Sequence, residues 1–225
     1  MNILITSGGT TEKIDNVRSI TNNSTGKLGC AIAEAFAEQV ADVRIFYLCG
    51  KNAVHPNFEA EIIEIGDVDS VQSAIRDLFG KHSIDIIIHA MAISDYRVRS
   101  VATPDGISLE MADGKISSEH DEIIIRLEKA PKIIGMLRGL SPKAIIVGFK
   151  LLSNVPRGTL LDVGYALLMK NDCDFVLAND ATKIAGDMHK GFLIGKNREF
   201  SEYDTKADIA RAIVEVTLKH RRENR

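Results

Sequence analysis

The chain has 225 residues, of which 45% are hydrophobic and 26% charged, and these proportions suit one globular domain with a sizeable core. The formal net charge of −3 gives no electrostatic reason to expect nucleic acid or an anionic membrane as a partner. No apolar run approaches the ~20 residues that cross a bilayer, and the first residues predict a strand and not a signal peptide. Cys30, Cys49 and Cys173 are far apart, which excludes a disulfide framework and a cysteine zinc site and predicts a cytoplasmic protein.

Strands and helices alternate along the first part of the chain. Short β-branched runs predict strands, and apolar residues at helical spacing predict helices. The predicted strands are 2–7, 42–48, 61–65 and 84–89, and the predicted helices are 30–38 and 68–79. This order predicts right-handed crossovers and a Rossmann-like α/β fold, with a mostly parallel sheet and helices on both faces.

The middle of the chain departs from this alternation. Residues 96–120 contain Pro104 and Asp-Gly pairs at 105–106 and 113–114, which predict a β-hairpin or flap outside the sheet. A strand is predicted at 122–127. A helix is predicted from Pro131, whose missing N–H costs nothing at the first helical position.

The last third is predicted to contain strands at 143–149 and 173–178, helices at 159–171 and 205–219, and a β-ribbon of 190–194 with 198–200. No linker or internal repeat divides the chain. We therefore expect a single nucleotide-binding domain over residues 1–225, with a flap at about 96–120.

Residues 21–29, Thr-Asn-Asn-Ser-Thr-Gly-Lys-Leu-Gly, lie between the first strand and the first predicted helix. Hydroxyl residues and glycines at a helix start expose backbone N–H groups where the helix dipole is positive, which suits a phosphate. An ordinary N-cap followed by close helix–strand packing explains the same pattern equally well. The stretch is not a P-loop, because Thr21 stands where the first glycine belongs, and it lacks Gly-x-Gly-x-x-Gly.

Ligands in parallel sheets bind beyond the carboxyl ends of the strands. In this chain the predicted strands end at the turn Ser7-Gly8-Gly9, at the turn after Leu48, and at residues 89–95, the last of which is Asp95. Asp95 could accept a hydrogen bond from an amine, a hydroxyl or a lysine, but a single aspartate there is also typical of a turn. By their positions alone, His89 would be a packed strand residue, and Lys115 and Lys170 would be solvated lysines. No metal-cluster spacing and no nucleophile elbow are present.

Seven segments, in the same order along the chain, resemble phosphopantothenoylcysteine synthetase, also called phosphopantothenate–cysteine ligase. They are residues 3–10, 22–29, 90–97, 114–118, 129–131, 147–150 and 177–180. The resemblance covers nearly the whole chain and is to the stand-alone form of the enzyme, without the flavin-dependent decarboxylase to which many bacteria fuse it.

The resemblance implies a ligase of coenzyme A biosynthesis. It would join 4′-phosphopantothenate and L-cysteine through an acyl-nucleotide, with release of pyrophosphate. This chemistry requires positioning and charge stabilisation, and no nucleophile from the protein. CTP or ATP would be the co-substrate with Mg²⁺ on its phosphates, and no protein metal site is predicted.

Carried over by resemblance, Asn22 would hold the acyl-nucleotide and Lys115 on the flap would neutralise phosphate charge during conversion. The remaining implied positions contact the nucleotide. They are Gly8, Gly9, Ser24, Gly26, Gly29, Ala90, Met91, Asp95, Pro131, Lys132, Ile133, Ile134, Phe149, Lys170 and Asn179.

The chain departs from the fused bacterial enzymes at two places. Their flap carries Lys-x-Lys-Lys where this chain has Lys115-Ile-Ser-Ser, and they have a second lysine where Ala166 stands. Residues 148–151 look closer to the eukaryotic type, which favours ATP, but the small stand-alone bacterial forms resemble the chain best and favour CTP. The resemblance also implies a homodimer, in which Lys115 could serve the partner's site.

Two other functions remain to be weighed. A short-chain-type NAD(P) reductase would use the first strand and its glycine turn, but Tyr96 and Tyr165 have no lysine four residues on. A non-catalytic module would bind CTP or ATP without releasing pyrophosphate when phosphopantothenate is added.

Overall fold

Within residues 1–109 and 114–223, which a computed structural model describes, eight strands form one central sheet. The predicted turn residue Asp113 lies outside the described residues. The strands are β1 (Asn2–Ser7), β2 (Thr11–Lys13), β3 (Ser19–Thr21), β4 (Arg44–Gly50), β5 (Glu61–Ile65), β6 (Ile86–His89), β7 (Tyr96–Ala102), β8 (Ile124–Lys129), β9 (Ile145–Leu152), β10 (Phe175–Ala185), β11 (Met188–Gly195) and β12 (Phe200–Thr205). The helices are α1 (Lys27–Gln39), α2 (Val68–Lys81), α3 (Ile134–Leu140), α4 (Arg157–Lys170) and α5 (Lys206–Glu223).

The central sheet has the strand order β12-β11-β10-β9-β6-β1-β4-β5. The strands from β10 to β5 in this order are parallel, and β11 and β12 add an antiparallel edge. The chain proceeds from β1 outwards through β4 to β5, and then resumes on the other side of β1 with β6. This reversal opens a crevice beyond the carboxyl ends of β1 and β6, which is where ligands bind in such sheets. The predicted Rossmann-like fold is confirmed.

The core lies on both faces of this sheet, as the continuous apolar runs of the parallel strands require. Successive residues of β1 point to opposite faces, so Ile3 and Ile5 pack with α1 and α5 while Leu4 packs with α2 and α3. No helix in the described part of the chain is both long and apolar enough to cross a bilayer.

Three local features show where the sequence predictions hold and where they do not. Pro131 does not begin a helix, because α3 starts at Ile134 after a turn in which Gly135 N–H donates to the carbonyl of Lys132 (3.2 Å). The predicted β-ribbon is confirmed as the antiparallel pair β11–β12, and it forms one edge of the central sheet because β11 also pairs with β10. The antiparallel pair β2–β3 was not predicted.

The region of the predicted flap contains a second small sheet. β7 pairs with β8 in antiparallel register, from Tyr96 opposite Lys129 to Ala102 opposite Ile124, outside the central sheet. The segment 114–116 crosses over to the β2–β3 turn, where Asn16 N–H donates to the carbonyl of Gly114 (2.8 Å). The flap region is thus attached to the rest of the fold at both its base and Gly114.

Candidate active site

A cavity of about 630 Å³ opens at the carboxyl edge of the central sheet, over the crevice between β1 and β6. Its walls come from the loop before α1, the segment after β6, the entry to α3, and the ends of β9, β10 and β11. The lining residues are Ser7, residues 22–29, residues 89–95, residues 131–134, Phe149, Lys150, Leu151, Leu167, Asn179, Ile184, His189 and Lys206.

The turn after β1 holds the segment after β6 in place. Ala90 N–H donates to the carbonyl of Thr6 (3.1 Å), and Ala92 N–H donates to that of Gly8 (2.8 Å). The Oγ1 of Thr10 accepts from the N–H of Ser94 (2.9 Å). A side chain at Gly9 would overlap the carbonyl of Asn22, so this glycine permits the close approach of two loops. Gly8 and Gly9 therefore do not line the cavity themselves but pack against the two segments that do.

The amino end of α1 faces the cavity. Gly26 adopts φ 71° before the helix, and no side chain caps the first turn. Ser7 Oγ donates to the carbonyl of Gly26 (3.0 Å), while a side chain at Gly29 would overlap Ser7. The predicted close helix–strand packing is present at Gly29, but the predicted N-cap is wrong, because Gly26 precedes the helix and no side chain caps it. The first N–H groups of α1 are therefore left uncapped beside the cavity, and their use by a phosphate stays a prediction.

Asn22 presents an unused amide to the same space. Its backbone N–H donates to the carbonyl of Thr10 (3.2 Å), which fixes the position of the residue. Its side chain is half-buried and pairs with no protein group in the described part of the chain. An amide can donate and accept at once, so it can hold two groups of a ligand.

The cavity is cationic although the chain has a formal net charge of −3. Four lysines line it against one carboxylate, Asp95. The lysines are Lys27, Lys132, Lys150 and Lys206. Lys132 forms an ion pair with Asp95, so the predicted acceptor role of Asp95 is filled here by a lysine. This excess of positive charge suits a ligand with several phosphate or carboxylate groups.

Two buried histidines lie in the walls. His89 Nδ1 is 3.0 Å from Thr6 Oγ1, and burial lowers the pKa of His89 to about 4. His189 Nε2 is 2.9 Å from the amide nitrogen of Asn179, and burial, aided by the charge of Lys206, lowers the pKa of His189 to about 4. Both rings are neutral at physiological pH, so neither adds charge to the cavity.

Lys115 is exposed and does not line the cavity of its own chain. The next residue, Ile116, is held by the β2–β3 turn: its N–H donates to Asp15 Oδ2 (3.2 Å), and its carbonyl accepts from Arg18 (2.8 Å). Arg18 also pairs with Asp15 at 2.6 Å and, with backbone N–H groups, holds the pKa of that carboxyl well below its usual range. We call Asp15, Arg18 and Ile116 the flap clamp.

Most of the predicted site residues meet in this one cavity. The exceptions are Gly8 and Gly9 behind its wall, Lys115 on the flap, and Lys170, which is exposed at the end of α4. Several lining residues were not among the predicted site residues, and four of them, Lys27, Lys150, Lys206 and His189, carry charged or hydrogen-bonding side chains. Lys27 and Lys150 lie within segments 22–29 and 147–150 of the resemblance, where their positive charge points to an anion. Lys206 and His189 lie outside those segments, and the pairing of the last strands brings them to the cavity.

Metal ligands are sparse at this site. The described residues contain no group of three or more His, Cys, Asp or Glu that could hold a metal ion. The cavity offers a single carboxylate, and Lys132 already pairs with it. Mg²⁺ commonly binds through substrate phosphates with few protein ligands, so a metal that arrives with a nucleotide fits this donor set and a resident metal does not.

A second cavity, of about 720 Å³, lies at the opposite edge of the sheet. Its buried carboxylate, Asp174, pairs with Arg138 (2.8 Å) and Lys196 (3.0 Å) and accepts from the N–H of Ile146 (2.8 Å). Hydrogen bonds from these groups hold the pKa of Asp174 below its usual range despite burial. Asp174, Arg138 and Lys196 therefore neutralise one another within the protein. In the first cavity, by contrast, lysines outnumber the single carboxylate.

Comparison with known proteins gives one family. The family model for the DNA/pantothenate metabolism flavoprotein C-terminal domain matches residues 1–220. The bifunctional coenzyme A biosynthesis protein CoaBC of Thermococcus kodakarensis is 31% identical over 195 residues, 87% of this chain and 45% of that protein. The CoaBC protein of Methanocaldococcus jannaschii is 31% identical over 219 residues, 96% of this chain and 50% of that protein. The chain thus spans about half the length of these curated relatives.

Solved structures agree with this family. The crystal structure of the DNA/pantothenate metabolism flavoprotein from Streptococcus pneumoniae has a TM-score of 0.86 and 32% identity, over 98% of this chain and 99% of that one. A Cab2 mutant in complex with phosphopantothenate-cysteine has a TM-score of 0.74 over 99% of this chain and 86% of that one. At 18% identity, this second likeness concerns the fold alone.

Proposed function

The chain belongs to the family of the DNA/pantothenate metabolism flavoprotein C-terminal domain, and from this premise we propose that it is a ligase that joins 4′-phosphopantothenate to L-cysteine. The names of its relatives place those proteins in coenzyme A biosynthesis, and one structural neighbour was solved with phosphopantothenate-cysteine. The observation that carries the proposal is the cationic cavity beside the uncapped start of α1 and the unused amide of Asn22. Both substrates of the first step, a nucleoside triphosphate and a phosphorylated carboxylate, are polyanions.

In the first step the carboxylate oxygen of phosphopantothenate attacks the α-phosphorus of the nucleotide. The bond from that phosphorus to the bridging oxygen breaks, and pyrophosphate leaves with the electron pair. The N–H groups at the start of α1, with Lys27 and Lys150, neutralise phosphate charge during the attack. The product is a mixed anhydride, the acyl-nucleotide.

In the second step the amine of cysteine attacks the acyl carbon. The nucleotide monophosphate leaves, the new amide bond forms, and the amine loses a proton to solvent or to the leaving phosphate. The amide of Asn22 would hold the acyl-nucleotide by pairing with its carbonyl and its phosphate. Lys115 would add positive charge from the flap, in its own or in a partner's site.

We propose CTP as the preferred nucleotide, with ATP as the alternative, because the chain resembles the small stand-alone bacterial forms best. Mg²⁺ would enter on the phosphates and reduce their charge repulsion. A homodimer would bring the exposed Lys115 to the cavity of the second subunit.

Pyrophosphate release tests the proposal directly. The purified chain is incubated with phosphopantothenate and with CTP or ATP, with and without cysteine. We expect release that depends on phosphopantothenate and is faster with CTP. No release with either nucleotide would refute the ligase, and nucleotide binding without release would identify a non-catalytic module.

A further inference from the structure

A buried hydrogen-bonding group lies unused at the far end of the cavity. His189 is 6% exposed, and its Nδ1 is the one buried side-chain nitrogen or oxygen without a partner among the described residues. Native proteins pair nearly all such groups, and an unpaired one calls for a specific explanation. The ring lines the same cavity as Asn22 and the start of α1.

The partner of the other ring nitrogen determines what Nδ1 can do. The amide nitrogen of Asn179 lies 2.9 Å from His189 Nε2, so Nε2 accepts and carries no proton. In a neutral imidazole the proton then resides on Nδ1, which is a donor. Asn179 therefore selects the His189 tautomer that carries its proton on Nδ1, and this N–H has no partner among the described residues.

The position of this donor indicates which part of a ligand it meets. Along the sheet, β11 is four strands from β1, so at about 4.8 Å per strand the His189 strand is roughly 19 Å from β1, where the α1 amides lie. A ligand whose phosphates occupy the α1 end must extend towards β10 and β11 to reach it. Lys206 lines the cavity beside His189 and adds positive charge at this far end.

We propose that His189, fixed by Asn179, forms a subsite that donates one hydrogen bond from Nδ1 to an acceptor oxygen or ring nitrogen of the substrate. The proposal rests on the proposed function, in which two ligands carry such acceptors: the base or ribose of the nucleotide, and the distal end of phosphopantothenate. His189 is a specificity-determining residue for whichever ligand reaches it.

Two substitutions separate the two ring nitrogens. In His189→Gln the side-chain amide reaches the Nε2 position and can still pair with Asn179, but no donor stands at Nδ1. In His189→Asn the amide stands near Nδ1, and the pair with Asn179 is lost. Binding of CTP, of ATP and of phosphopantothenate is measured separately by calorimetry, together with the thermal unfolding midpoint of each variant.

We expect His189→Gln to weaken either the nucleotides or phosphopantothenate about tenfold, the value of one hydrogen bond to a buried donor, and to leave the other kind of ligand unchanged. His189→Asn should bind that ligand more tightly than His189→Gln does, although it unfolds at a lower temperature. If the affinities for CTP and ATP fall, the acceptor belongs to the nucleotide. If the affinity for phosphopantothenate falls, the acceptor belongs to the distal end of phosphopantothenate. Equal affinities of wild type and His189→Gln for all three would overturn the proposal.

A measurement on the wild-type protein does not depend on how the variants fold. Nitrogen NMR of the histidine ring should show the proton on Nδ1 without ligand and a downfield shift of that proton when the ligand binds. A proton on Nε2, or an Nδ1 resonance that no ligand moves, would also overturn the proposal. Because both experiments measure binding, a failed ligase assay leaves them interpretable.

Discussion

The amide of Asn22 is a polar group placed by its backbone and left without a protein partner within the described residues. Such a group contributes little to folding and is available to a ligand at no cost in lost internal hydrogen bonds. The uncapped N–H groups at the start of α1 are of the same kind. At the scale of single residues, the cavity is therefore preorganised for an anion.

Asn22→Asp replaces the donor half of this amide with a negative oxygen. We expect turnover to fall at least a hundredfold, because a donor aimed at a reacting carbonyl or phosphate is worth about that much in kcat. The thermal unfolding midpoint should change little, since the side chain makes no hydrogen bond to the described residues that could be lost. Steady-state pyrophosphate release measures the effect, and the neutral Asn22→Ala separates the lost amide from the added charge. Turnover of Asn22→Asp at the wild-type rate would remove Asn22 from the mechanism.

Lys150 lines the cavity without an internal ion pair in the described part of the chain. Lys150→Gln should weaken CTP by roughly ten- to a hundredfold, since a hydrogen bond to a charged group is worth about 1.5–3 kcal/mol. The wild-type affinity should also fall more steeply with salt than that of the variant. Lys143→Gln is the matched control, because Lys143 lines the cavity at the opposite edge. Equal losses in the two variants would mean that only the overall charge matters.

At the scale of elements, the predictions succeed where the hydrophobic pattern is long. Burial on both faces gives β1, β6 and β9 continuous apolar runs that predict strands. Burial of one stripe gives α2 apolar residues at helical spacing, which predict a helix. The pair β2–β3 left no such trace, since each strand has three residues and Ser19–Thr21 is exposed throughout. It is held instead by contacts distant in sequence, such as Glu12 Oε1 with the N–H of Val68 (3.0 Å).

The flap clamp gives this unpredicted element a function. Because Asp15 and Arg18 hold both backbone groups of Ile116, they determine where the neighbouring Lys115 stands. We expect Arg18→Gln to lower turnover about as much as Lys115→Gln does, with CTP affinity within a few-fold of wild type. Stopped-flow measurement of acyl-nucleotide formation and decay would show which step slows.

The double variant Arg18→Gln with Lys115→Gln decides whether the two residues act together. If the clamp works through Lys115, the double variant should be no slower than the slower single variant. Arg76→Gln, at an exposed arginine of α2, serves as the control for lost surface charge. Additive losses would mean that Arg18 acts independently of the flap lysine.

At the scale of the whole molecule, the strand order explains what the linear sequence could not show. The crevice between β1 and β6 was predictable from the alternation of strands and helices, and the predicted residues 22–29 and 89–95 do meet there. His189 joins them because β11 turns back antiparallel beside β10 through the two-residue turn Gly186-Asp187, and Lys206 because it directly follows β12, which pairs with β11. The turn is a local signal of a hairpin, but it does not show that the hairpin reaches the cavity. A net charge of −3 likewise conceals a cationic cavity, since composition carries no information about position.

The two buried histidines make the stability of the whole fold depend on pH. Burial lowers the pKa of His89 and of His189 to about 4 in the folded protein, against about 6.5 for an exposed ring. As the pH falls from 6.5 towards 4, the unfolded chain therefore binds protons that the folded chain does not, and stability falls. His89 and His189 should each remove about 2 kcal/mol between pH 8 and pH 5, because their pKa values in the folded protein are the same.

Urea unfolding of the ligand-free protein at pH 8, 6.5, 5 and 4.5 measures this loss, and His89→Gln should flatten the slope between pH 6.5 and 5. His120→Gln, at an exposed histidine, should leave the slope unchanged. The carboxylates whose pKa is lowered in the fold, including Asp15 and Asp180, keep their stabilising charge until the pH falls below about 4, so their contribution is lost in a separate, more acidic window. A free energy of unfolding that is constant from pH 8 to 5 would mean that the rings at positions 89 and 189 take up protons within the folded protein, through an opening of the cavity walls that hold them.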